Sequence, residues 1–107
     1  MIIKKIDTNQ KNVGPMKIWE YKINPDFSGA LIEIDGDHGK MKCVGEDRIY
    51  FIIEGGGQFV LDEKETEVEP NDLIFVARNT PYNFIGKMKI FLVCTPEFNP
   101  KDDVKLP

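Results

Sequence analysis

The chain has 107 residues, with 14 Lys+Arg against 18 Asp+Glu and a formal net charge of −4, which suits one domain, residues 1–107, built on a single core. The charges are mixed along the chain and form no basic stripe, so no nucleic-acid partner is expected. The longest apolar runs, Ile49 to Ile53, Leu73 to Ala77 and Ile90 to Cys94, are five residues each against the ~20 that cross a bilayer, and Met1 to Gln10 has no secretory apolar core, so a cytoplasmic protein without a membrane partner is expected.

From the amino terminus, Trp19 to Ile23 and Ala30 to Ile34 are β-like runs separated by the turn residues Asn24-Pro25-Asp26 and Ser28-Gly29, and Lys40 to Val44 is a weaker third. Arg48 to Ile53 ends in Glu54-Gly55-Gly56-Gly57, and Gln58 to Leu61 follows, which reads as a hairpin. Asp62 to Glu65 turns into a short strand, Thr66 to Glu69, and Pro70-Asn71-Asp72 turns into Leu73 to Ala77. Asn79-Thr80-Pro81 leads into Tyr82 to Ile85, and Gly86-Lys87 into Lys89 to Thr95. Three prolines, Pro96, Pro100 and Pro107, mark residues 96–107 as an irregular tail.

No 3.6-residue apolar period persists long enough for a real helix, so the fold class is all-β, a sandwich or barrel. Met88, Ile90, Leu92 and Cys94 share one face of their strand. Ile49 to Ile53 and Leu73 to Val76 are instead apolar on both faces, so something beyond the barrel core must cover their outer side. A homodimer packed sheet on sheet is expected, with the amino-terminal segment 1–17 folded or swapped over that face as the other way to cover it.

The phrase Arg48-Ile-Tyr-Phe-Ile-Ile-Glu-Gly-Gly-Gly-Gln-Phe resembles a conserved first phrase of the cupin family. Val68-Glu-Pro-Asn-Asp-Leu-Ile-Phe-Val with Thr80-Pro-Tyr-Asn-Phe resembles the second, and Thr95-Pro-Glu-Phe-Asn-Pro is similar to the close of some single-domain members. The resemblance implies a double-stranded β-helix, the cupin or jelly-roll barrel, often dimeric. It also exposes a departure. Where metal-binding cupins carry glutamate this chain has Arg48, and Tyr82 stands for the histidine of the second motif. The two histidines of the first motif fall on Met41 and Cys43 with a four-residue gap, or on Lys42 and Val44 with a three-residue one. In the second motif Asn71, Ala77, Asn79 and Gly86 fill the remaining named places; Asn is the best non-glycine residue for a left-handed turn. An arginine cation where a divalent ion needs an anion argues against a metal centre, so no metal and no cofactor are expected.

The ligand-binding residues expected from this placement are Met41, Cys43, Arg48, Tyr50, Tyr82 and Cys94. Arg48 with Tyr82 would anchor an anion, unless Arg48 is paired to Glu46 or Asp47 or solvated. Met41, Cys43 and Cys94 suit either a soft ion such as Cu(I) or ordinary core packing, and in a reducing compartment the two cysteines are expected as free buried thiols. His38, the one histidine, is a candidate catalytic base, with Tyr82 or Tyr50 as its acid. The glycine run lacks the strand-loop-helix setting of a phosphate loop. The function expected is therefore a metal-free cupin that binds a small, anionic molecule. Two alternatives stand beside it: a metal-independent isomerase or epimerase of a sugar or hydroxy acid, and a barrel serving as a dimerisation or interaction module.

Overall fold

The computed structural model describes residues 1–107 and is built from nine antiparallel strands: β1 (Asn9–Val13), β2 (Met16–Asn24), β3 (Phe27–Asp37), β4 (Met41–Cys43), β5 (Asp47–Leu61), β6 (Lys64–Val68), β7 (Leu73–Val76), β8 (Tyr82–Thr95) and β9 (Asp103–Lys105). No helix is long and apolar enough to cross a membrane. Local chemistry sets the turns. Asn24 Oδ1 accepts from the backbone N–H groups of Asp26 and Phe27 between β2 and β3. Asp62 and Glu63 both take positive φ in the two-residue turn that closes the β5–β6 hairpin, as such turns require. Asn71 and Asn79 adopt the left-handed conformation where the related motif has glycine.

β5 and β8 are the two long strands, 15 and 14 residues, and each belongs to both faces of the barrel. One face runs β1-β2-β3-β8-β5-β7, using the carboxy-terminal half of β8 and the amino-terminal half of β5; the other runs β9-β4-β8-β5-β6, using their opposite halves. The expected hairpin at Gly55-Gly56-Gly57 is therefore not a turn. β5 continues through the glycines, with a register shift between Ile52 and Glu54, and crosses β8 at Gly86. A Cβ on Gly55 would strike the Lys87 carbonyl and one on Gly57 the Ile85 carbonyl, so these glycines serve close strand crossing at a barrel corner. The run Tyr82 to Ile85 likewise joins Lys89 to Thr95 in one strand.

The tail is also more ordered than its prolines suggest. Residues 96–107 hold a 3₁₀ turn, Pro100–Asp102, and the edge strand β9, which pairs with β4. Their proline-free stretch Asp103–Lys105 provides the N–H groups a strand needs. Within 1–17, β1 pairs along the outer edge of β2.

Alternate residues of β3, β5 and β8 point inward. Ala30, Ile32, Ile34, Tyr50, Ile52, Phe59, Tyr82, Phe84, Met88, Ile90, Leu92 and Cys94 form the body of the core. On the outside, Phe51, Ile53, Leu73 and Phe75 are 38%, 39%, 61% and 55% exposed. Phe51 pairs with Leu73 and Ile49 with Phe75, which makes one contiguous apolar outer face.

Candidate functional site

One polar cluster sits inside this apolar barrel, and the β period explains its membership. Arg48, Tyr50 and Ile52 lie at alternate positions of β5 and face inward; Tyr82 and Phe84 do so on β8. Register then places Arg48 beside Cys94, and Met41 beside Tyr82.

Arg48 is buried and makes four hydrogen bonds. Its Nε and Nη2 donate to Glu46 Oε1 at 3.2 and 2.8 Å, its Nη2 donates to Asp103 Oδ1 at 2.6 Å, and its Nη1 donates to the Tyr82 hydroxyl at 2.6 Å. The Phe98 ring lies 5.6 Å from the guanidinium carbon. Glu46 has no exposed side chain, and its second oxygen accepts from the Asn99 backbone N–H at 3.3 Å. The guanidinium is thus paired with a fully buried carboxylate, Glu46, and a partly exposed one, Asp103. This is the partnered state of Arg48 rather than an open anion anchor: an acidic ligand would have to displace Asp103.

The Tyr50 hydroxyl donates to the Tyr82 oxygen at 3.1 Å. With Arg48 also donating, both acceptor positions of Tyr82 are filled, which leaves the Tyr82 proton to be given elsewhere. Burial is the main cause that raises both phenols above their ordinary pKa, well above for Tyr50, with Arg48 pulling the other way. Both are therefore neutral hydroxyls at physiological pH.

His38 joins this cluster from the loop after β3. Its ring stacks on Phe84 with centroids 4.3 Å apart and on Tyr82 at 5.5 Å. Its Nδ1 lies 2.8 Å from the Gly39 carbonyl oxygen. A carbonyl only accepts, so in the neutral ring Nδ1 carries the hydrogen and Nε2 keeps its lone pair. Burial, helped by Arg48, lowers the His38 pKa against the opposing pull of the Gly39 hydrogen bond, Asp103 and Asp37. The loop is fixed by Asp37, whose Oδ1 accepts from Gly39 N–H at 2.8 Å and from Asn83 Nδ2 at 3.0 Å.

The sulfur residues are divided. Cys43 and Cys94 are buried free thiols, while Met41 is half-buried against the core. Burial raises both thiol pKa values, that of Cys94 to about 12, so thiolate, the form a soft metal binds, is disfavoured. No group of three or more His, Cys, Asp or Glu side chains is arranged to hold a metal ion. At the family's ligand positions the guanidinium presents donors, and the phenol's lone pairs are taken. These residues do not fit a divalent cation.

Glu46, Phe84, Phe98 and Asp103 complete the cluster. Of these, Glu46 was one of the partners expected for Arg48 and Phe84 was legible from alternation with Tyr82; Asp103, lying in a tail of prolines, carried no signal.

No protein-family model matches the chain. An uncharacterized protein of Methanocaldococcus jannaschii is 26% identical over 74 residues, 67% of this chain and 59% of that one; the chain thus spans under two-thirds of that relative. Among solved structures, Streptomyces Pac13, a nucleoside dehydratase, superposes with a TM-score of 0.92 at 21% identity, over 99% of this chain and 90% of that one. Three single-residue variants of Pac13, two Tyr→Phe and one His→Gln, are solved with uridine. KdgF from Halomonas matches with a TM-score of 0.85 at 12% identity, over 94% and 97% of the two chains. Oxalate decarboxylase from Bacillus subtilis matches at 0.85 and 13%, over 97% of this chain and 31% of that one. The architecture is the all-β cupin barrel, and this chain is a cupin-fold protein in which a hydrogen-bonded Arg-Tyr-Tyr cluster occupies the interior with a half-buried histidine stacked beside it.

Proposed function

We propose that this barrel performs metal-independent acid–base chemistry on a neutral, hydroxyl-bearing small molecule of the sugar or nucleoside class, with His38 as base and Tyr82 as acid. The observation that carries the reading is the His38 ring stacked beside Tyr82, one holding a free lone pair and the other an uncommitted proton. A base that removes a proton from carbon next to a carbonyl and an acid beside it serve two outcomes. Returning a proton to that carbon isomerises or epimerises the substrate. Expelling a neighbouring hydroxyl instead forms a C=C bond, as C–O cleavage takes the Tyr82 proton into the departing water. The uridine held by Pac13, and the histidine and two tyrosines substituted there, support the second outcome and a nucleoside-like ligand.

A neutral ligand is preferred to the anionic one because Glu46 and Asp103 already satisfy Arg48. Uridine and uridine 5′-monophosphate distinguish the two. Chelator-treated protein is expected to show a melting temperature raised by uridine; a rise with the phosphate alone would restore the anion anchor, and no rise with either would set the nucleoside class aside.

We also propose that the outer apolar face of Ile49, Phe51, Leu73 and Phe75 is covered by a second copy of the chain, since single-chain surfaces seldom leave so contiguous an apolar patch bare. A cytoplasmic setting fits its reduced, buried cysteines.

A further inference from the structure

The C-terminal tail does more than close a sheet edge. Phe98 N–H donates to Ser28 Oγ at 2.9 Å, Asn99 N–H to Glu46 at 3.3 Å, and the backbone N–H of Val44 to the Asp102 carbonyl at 3.0 Å. These contacts bring β9 across the end of the barrel and deliver Asp103, 22% exposed, to a guanidinium that is 4% exposed.

We propose that Asp103 is a positioning residue: by holding Arg48 from the tail side, it makes Tyr82 keep its proton and present it to the barrel interior. Arg48 by itself would favour the tyrosinate, because a cation 2.6 Å from a phenol oxygen stabilises the negative form. Glu46 and Asp103 oppose this. Glu46 grips Nε and Nη2 from one edge and Asp103 takes Nη2 from the other, which fixes the guanidinium with Nη1 directed at the phenol. The ionisable groups around Tyr82 are Arg48 and Tyr50 from β5, Glu46 from the loop before it, Asp103 from β9 and His38 from the loop after β3. Asp103 is the member of this set that a surface strand supplies. Through Arg48 it rests on the reading of Tyr82 as acid for its catalytic meaning, while its electrostatic content is separable from any reaction.

The test follows the ultraviolet absorbance of tyrosinate as pH is raised, with Tyr82→Phe identifying the Tyr82 step among the three tyrosines. Asp103→Asn keeps an oxygen for Nη2 and removes the charge. Tyr82 is expected to ionise about one pH unit lower in that variant, and Asp103→Glu to restore the original curve. An unchanged curve in a folded Asp103→Asn protein overturns the proposal. Should that variant fail to fold, nitrogen-detected NMR of the unaltered protein decides: separate Nη1 and Nη2 signals from Arg48 support the clamp, and signals averaged by free rotation refute it. Neither readout uses a ligand, so failure here is distinct from failure of uridine to bind.

Discussion

Arg48 and Tyr82 stand 34 residues apart in sequence and share a 2.6 Å hydrogen bond inside the barrel, at positions where metal-binding cupins present a carboxylate and an imidazole. The cation that replaces the anion is neutralised by Glu46 and Asp103, and the phenol that replaces the imidazole accepts from it. The interior thus holds a paired guanidinium and a hydrogen-bonded phenol, which gives a barrel of this shape a polar centre.

Arg48→Met is expected to destabilise the fold by about 3–5 kcal/mol, the cost of leaving the Glu46 carboxylate buried without its partner. Urea denaturation measures it. The double variant Arg48→Met, Glu46→Met should recover much of the loss, because removing both charges removes the orphan. If the single change proved neutral, Arg48 would not be the internal counter-ion described.

Tyr82→Phe removes the acceptor of two buried hydrogen bonds, and a loss of about 1–3 kcal/mol follows from leaving those donors unpaired. Uridine binding should persist, since the ring remains, while any turnover of a nucleoside substrate falls at least tenfold through loss of the acid. Equal loss of binding and turnover would place the hydroxyl in ligand recognition instead.

Much of this architecture was legible in the chain. Alternation put Met88, Ile90, Leu92 and Cys94 on one face of β8, whereas β5, apolar on both faces, gave no such signal, and it was the motif resemblance that grouped Arg48, Tyr50 and Tyr82. The glycine run misled because a tight turn and a close strand crossing both demand a missing Cβ; only the carbonyls of Ile85 and Lys87, distant in sequence, separate the two cases. Asp103 was hidden for another reason. An acidic residue in a proline-rich tail has the same local pattern whether it is solvated or reaches a buried guanidinium. For His38, the local sequence Gly36-Asp-His-Gly39 has the pattern of any exposed loop, and the Asp37–Asn83 contact that ties it to β8 spans 46 residues of sequence.

Gly57→Ala should destabilise the chain by about 3 kcal/mol, the upper range for a point change, since its new Cβ meets the Ile85 carbonyl of β8. Gly14→Ala provides the contrast. That residue has positive φ but open space around it, so its cost is limited to about 1 kcal/mol of backbone strain. Comparable effects at both sites would deny that strand crossing explains the glycine run.

Phe75→Glu places a charge on the outer apolar face and should shift sedimentation equilibrium from dimer to monomer without loss of β circular dichroism. A wild-type chain that sediments as a monomer would remove the second copy from that face.

Stability should also respond to His38. Its folded-state pKa is depressed, chiefly by burial, so its contribution is complete above the unfolded value of about 6.5 and is lost as pH falls below that toward the folded value. Denaturation midpoints of wild type and His38→Gln should therefore converge or cross as pH drops through this window; a constant difference would mean that His38 titrates alike in both states.

The most direct test is nitrogen NMR of His38 in metal-stripped protein, titrated with pH and then with uridine. A neutral ring protonated at Nδ1, with an Nε2 signal that remains that of a free lone pair at neutral pH and moves on adding uridine, is the expected result. An imidazolium at neutral pH, or an Nε2 signal indifferent to uridine at saturating concentration, would contradict a base poised in the ligand site.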